Sequence, residues 1–248
     1  MSDAAVSLEI TPPMSQPMRV IDTFVAPSKT FEDILKSANC WLPLVLMAVL
    51  TFAWTATIDK TIGFDTVMQV QMAKNPERAA QLQSLPADQR AAQIEMGVKL
   101  TRTITYCSFI IVIVFMLIEA LLLWAAFNFG LGAKTTFPQV FAVVSFAGLP
   151  RALTWVLSMI LMAAGVGGDN FDVQNPVGTN LGYYLSEAPK WMQAGGKFFD
   201  VLGLWSLGLL ILGMAIISKK KVSSSAMIIG GIWVIGLLLT AGITAAMS

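Results

Sequence analysis

The sequence predicts an all-α, polytopic membrane protein with five transmembrane helices, and three observations carry that reading. First, 56% of the 248 residues are hydrophobic and only 12% charged, with a mean hydropathy of +0.70. A soluble domain carries about 25% charged residues. Second, five apolar runs approach the length of about 20 residues that crosses a bilayer as a helix. Third, the chain has no histidine, which removes His-based triads, metal sites and proton relays, and with them most hydrolase and metalloenzyme classes. The expectation is a protein that is not an enzyme, with no metal and no cofactor. A net charge of +1 gives no reason to expect a nucleic-acid partner. The partner that the composition demands is the lipid bilayer.

Residues 1–18 are polar, contain Thr11-Pro12-Pro13 and read as a disordered tail. No basic n-region feeds into the first apolar run, so that run is expected to stay in the mature protein. In 19–40, Ile21, Phe24 and Val25 recur at helical spacing and Pro27 breaks the pattern. Thr30 with Asp33 resembles a capping box opening a second short helix that carries Phe31, Ile34 and Leu35. Two readings stand side by side: interfacial helices lying on the cytoplasmic membrane face, or a cap packed under the bundle.

The membrane domain occupies 41–248, with spans expected at Trp41 to Ile58, Ile104 to Phe129, Phe137 to Val166, Phe198 to Ser218 and Ser225 to Met247. The segment 59–103 is too long for a plain connection. Its apolar spacing around Val67 to Met72, the proline at Pro76, and a second start at Ser84 and Pro86 predict an extramembrane helical hairpin running into the second span. After the third span, Asp169, Asn170 and Asp172 lack the full calcium-loop pattern and its closing glutamate. Tyr183, Tyr184 and Trp191 suit a membrane interface. Cys40 and Cys107 stand far apart at the mouths of two apolar runs, which argues against a disulfide framework.

Orientation follows from Lys and Arg in short loops. Lys219-Lys220-Lys221, in the brief turn between the last two spans, places that turn in the cytoplasm. For five spans this puts the N-terminus inside and the C-terminus outside.

Two charges fall deep in the spans. Glu119 is near the middle of the second and Arg151 near the middle of the third, and these antiparallel neighbours bring them to within roughly 4 Å in depth at ~1.5 Å per residue. A lone charge at the bilayer centre costs about 2.5–3.5 kcal/mol on insertion scales, so a pair is favoured. The pair is open to two interpretations, a polar pathway or a structural contact fixing helix register. Asn128 and Asp200 are the nearest supporting polar groups. Pro150 is expected to kink the third span and free a backbone carbonyl.

The ordered set Phe24-Val25-Ala26-Pro27-Ser28-Lys29-Thr30-Phe31-Glu32-Asp33-Ile34, Phe137-Pro138-Gln139-Val140-Phe141 leading to Pro150, Asn175-Pro176-Val177-Gly178-Thr179-Asn180-Leu181, and Phe199-Asp200-Val201 with Trp205, Gly213, the lysine cluster and Trp233 resembles the bacterial branch of the Yip family of Ypt/Rab-interacting membrane proteins. The resemblance covers nearly the whole chain from about Arg19. It implies five membrane helices, a cytoplasmic N-terminus, a bacterial inner-membrane location and no known catalytic activity. Eukaryotic relatives act in vesicle traffic, bind prenylated GTPases and associate with one another. Here Ala26-Pro27-Ser28 stands where many of them carry a Gly-Pro element after an acidic-leucine pair, which counts against GTPase binding. The expected function is a membrane-organising adaptor or scaffold, with protein partners or a second copy of itself. The alternative is a small transporter, channel or lipid-translocating protein using Glu119 and Arg151.

Overall fold

The computed structural model describes residues 12–166, 168 and 171–247, and every regular element among them is helical. Most of the tail expected at 1–18 lies outside the described residues, as do Asp169 and Asn170. In chain order the helices are α1 (Gln16–Val25), α2 (Pro27–Ile34), α3 (Trp41–Thr61), α4 (Phe64–Ala73), α5 (Pro76–Gln83), α6 (Ala87–Tyr106), α7 (Ser108–Ala125), α8 (Phe137–Ala147), α9 (Leu149–Ala163), α10 (Lys190–Gly196), α11 (Val201–Ser218) and α12 (Val222–Ala246). Five units are long and apolar enough to cross a membrane: α3, α7 with its terminal π-turn to Gly130, α8 and α9 together, α11, and α12.

Local chemistry sets the boundaries. The second span begins at Ser108 rather than Ile104 because the helix breaks at Cys107. The third opens with a capping box in which the Thr136 N–H donates to Gln139 Oε1 at 3.0 Å. It is interrupted at Gly148 and restarts at Leu149, with Pro150 in the first turn of α9, where its missing N–H is harmless. The disturbance therefore falls two residues before Pro150, at the glycine, and Leu149 is itself helical. The fourth span starts at Val201 rather than Phe198 because Asp200 caps it, its Oδ1 accepting from the Gly203 N–H at 2.6 Å. It ends at Lys219, which adopts the left-handed conformation with φ 55°.

The bundle is built around α8, whose residues from Ala142 to Ala147 are all buried. α3 runs alongside the third span in the same direction. Met47 meets Gly148, and farther along the Trp54 Nε1–H donates to Ser158 Oγ at 2.8 Å. α7 and α11 pack on α8 from its flanks. α12 sits outermost, with only Ser225 and Ile229 buried among its described residues. Its apolar remainder, like the exposed leucines of α7, forms the lipid-facing belt.

The open end of the α1–α2 hairpin, the turn after α7 and the lysine turn after α11 share one end of the bundle, and from there the hairpin reaches along α11 to Trp205. The opposite end carries α4, α5 and α6, which fold back on α3. There Asp59 takes Arg102 at 2.6 Å and the Tyr106 hydroxyl at 3.0 Å. The segment expected as a two-helix hairpin folds as three helices, because Asn75 breaks the first stretch and caps α5, its side chain accepting from the Arg78 N–H. Beside it, Asp172 accepts from Lys74 at 2.6 Å. Tyr183, Tyr184 and Trp191 are exposed at this same end.

Candidate functional site

The N-terminal hairpin is built on a buried ion pair that sequence reasoning missed. Pro27 starts α2 directly after α1, so the two helices pack against each other and bring Arg19 to Asp33. Both side chains are almost fully buried, 1% and 2% exposed. The Arg19 Nε–H donates to Asp33 Oδ2 at 2.7 Å and Nη2 lies 2.6 Å from the same oxygen. Nη2 also reaches the Asp33 carbonyl, and Nη1 donates to the carbonyls of Ser37 and Asn39, each at 2.9 Å. The planar guanidinium thus spends all its donors inside the fold, tying α1 to α2 and to the approach of α3.

Thr30 is not a helix cap. α2 begins at Pro27, so Thr30 lies within it, and its hydroxyl donates to the Arg19 carbonyl at 2.9 Å. Asp33, expected as the reciprocal member of that box, is the counter-ion instead. Proximity in sequence suggested one pairing; the helix hairpin created another across fourteen residues.

The five apolar positions of this segment divide between two faces. Phe31 and Ile34 are buried in the main core, and Phe24 is half-buried with its ring 5.6 Å from that of Trp205 on α11. Ile21 and Leu35 are exposed, together with Met18 and Val25. Gly213 on α11 makes the seat for Phe31: a Cβ there would stand 2.9 Å from the ring and 2.6 Å from Val143 Cγ1. Trp205 and Gly213 are about 12 Å apart along α11, so the hairpin lies along the flank of the fourth span as an integral part of the bundle.

The second candidate lies at mid-bundle. Glu119 and Arg151 line one void of about 40 Å³ with Gly148 and Ser206, but they form no ion pair with each other. That space holds about one water. The Arg151 N–H, one of the unsatisfied donors of the first turn of α9, donates to Ser206 Oγ at 3.2 Å. The Arg151 side chain also lines a larger cleft of about 370 Å³, formed by α9, residues 174–180, the start of α11 and Trp233 of α12.

Of the supporting residues, Asn128 is not part of this place. It clamps the turn between α7 and α8, donating to the Thr135 carbonyl and accepting from the Thr135 N–H, both at 2.9 Å. Pro150 is buried in the first turn of α9. Asp200 lines the larger cleft, where its carboxylate accepts from Thr179 Oγ1 at 2.5 Å as well as from Gly203. A hydrogen bond from the Val201 N–H to the Thr179 carbonyl completes this latch of loop to helix.

Among the described residues, no group of three or more His, Cys, Asp or Glu could hold a metal ion. No curated protein and no solved structure matches the chain. The family model of the Yip1 domain matches residues 21–243, from within α1 to near the end of α12. Most of the hairpin, the first four spans, most of α12 and the latched loop fall inside that match, and the chain belongs to the Yip1-domain family of integral membrane proteins.

Proposed function

We propose that this protein is a non-enzymatic membrane-organising scaffold whose contact element is the α1–α2 hairpin, held in the bacterial inner membrane with the open end of the hairpin on the cytoplasmic side. The observation that carries this reading is the contrast between the two faces of the hairpin. One face is locked into the bundle by the Arg19–Asp33 pair and by Phe31. The other leaves Met18, Ile21 and Val25 exposed along α1 at helical spacing. A rigid mount with an apolar outer ridge suits contact with a protein partner, a second copy of the chain or lipid, and it needs no chemistry. Binding of a prenylated GTPase is not assigned, since Ala26-Pro27-Ser28 forms the hairpin corner.

The test is the triple substitution Met18→Ser, Ile21→Ser, Val25→Ser, which removes the ridge while sparing the buried face. The expected result is loss of cross-linked partners, or of self-association, in native membranes with an unchanged melting temperature. An unchanged cross-linking pattern and unchanged liposome shape in the variant would refute the scaffold reading. Transport through the Glu119–Arg151 region is not favoured, because the space they share accommodates about one water.

A further inference from the structure

We propose that the cleft between α9, the 174–180 loop and the start of α11 is a binding site for a phosphate group, held by Arg151 and Lys197. Both cations line this one cavity of about 370 Å³, within the range of small-molecule sites. Neither forms an ion pair among the described residues. The lining carboxylate, Asp200, is engaged by Thr179 and Gly203 rather than by either cation. The cleft therefore offers two cations free of direct ion pairs against one lining carboxylate, with Glu119 across a small void from Arg151, and one of the cations is a guanidinium with the planar fork that matches two phosphate oxygens.

Position argues in the same direction. Arg151 stands near the middle of the third span, where a charge is costly; Glu119 lines a void beside it without making a direct ion pair, which leaves the guanidinium's hydrogen-bonding fork available to an anion in the cleft. Lys197 precedes α11 at the end of the bundle, so the cleft joins mid-membrane to the extramembrane loop. Its remaining wall is polar along Thr154, Gln174, Asn175 and Asn180 and aromatic on one side, where Phe198 packs edge-on against Trp233 with centroids 5.9 Å apart. Cations beside an aromatic wall suit a phosphate carried on an apolar body, as in a phospholipid, and the same cations would take a soluble phosphate. The site shares no lining residue with the N-terminal ridge, and its existence does not depend on the scaffold reading.

The experiment measures binding of phosphatidylglycerol to the purified full chain in non-ionic detergent, by native mass spectrometry and by the rise in melting temperature. Diacylglycerol with the same acyl chains is the phosphate-free control. Expected is a preference of about tenfold or more for the phospholipid, lost in Arg151→Gln and in Lys197→Gln, as charge-assisted contacts of this kind require. Lys134→Gln, in the turn after α7, should leave it intact. If Arg151→Gln fails to fold, Lys197→Gln carries the test alone, because Lys197 is exposed. Displacement of the lipid by millimolar inorganic phosphate would support the site and assign it to soluble phosphates as well; a lipid that resists displacement would support it as a headgroup site. Equal binding of both lipids, equal binding by the Lys197→Gln variant, or an equal loss in Lys134→Gln would overturn the proposal.

Discussion

Arg19 and Glu119 show how differently two charges in an apolar chain can be accommodated. Arg19 is buried with Asp33 at 2.6 Å, and its guanidinium is satisfied by backbone carbonyls from both ends of the connection to α3. Removing one member strands the other, at a cost of about 3–5 kcal/mol. Arg19→Met and Asp33→Asn are each expected to lower the denaturation midpoint in detergent sharply. The double variant should lose less than the sum, and strict additivity would show that the pair is not coupled. Glu119 is half-buried with no ion-pair partner. Glu119→Gln is therefore expected to leave stability unchanged or raised in the same assay, and a loss of more than about 3 kcal/mol would mean that a direct partner had been broken. Reading charge by depth along the chain singled out Glu119 and Arg151 as a place worth inspecting. The same reading passed over Arg19, because its partner becomes near only once Pro27 has turned the chain.

Among the helices, the seat of Phe31 is a tight joint. α2, α8 and α11 meet at Gly213, where any side chain would collide with the Phe31 ring and Val143. The glycine is used for close approach rather than for backbone freedom, since it lies within a regular helix. Gly213→Ala is expected to destabilise by about 1–3 kcal/mol through overpacking. Phe31→Leu in the same chain should restore part of that loss, measured by thermal unfolding. If Gly213→Ala were neutral and Phe31→Leu no better with it than without, the hairpin would not be seated as described. The apolar runs made the five spans legible because hydropathy is local and cumulative along a helix. The seat was not legible: glycines at 203, 208 and 213 look alike in sequence. A Cβ at Gly208 would meet nothing within 4 Å, whereas one at Gly213 meets two elements. Span limits were likewise blurred wherever a cap such as Asp200 or a break such as Cys107 decided them.

The molecule as a whole has two ends of different character, and its two cysteines report on both. Cys40 lies just before α3, at the hairpin end, and is buried; burial raises its thiol above the ordinary pKa, so little thiolate is available near neutral pH. Cys107 is exposed at the junction of α6 and α7, at the other end. The lysine cluster lies in the turn between α11 and α12, on the side of Cys40. If the positive cluster faces the cytoplasm, a membrane-impermeant maleimide added to intact spheroplasts should label Cys107 and spare Cys40. A Lys220→Cys, Cys107→Ser variant should react only after the membrane is opened. The reverse pattern, Lys220→Cys labelled from outside and Cys107 protected, would invert the protein in the membrane and place the hairpin outside. Once the membrane is opened, labelling of Cys40 as readily as Cys107 at neutral pH would show that the hairpin leaves the bundle, since the Cys40 thiol is shielded by the packing that Arg19, Phe31 and Ile34 hold in place.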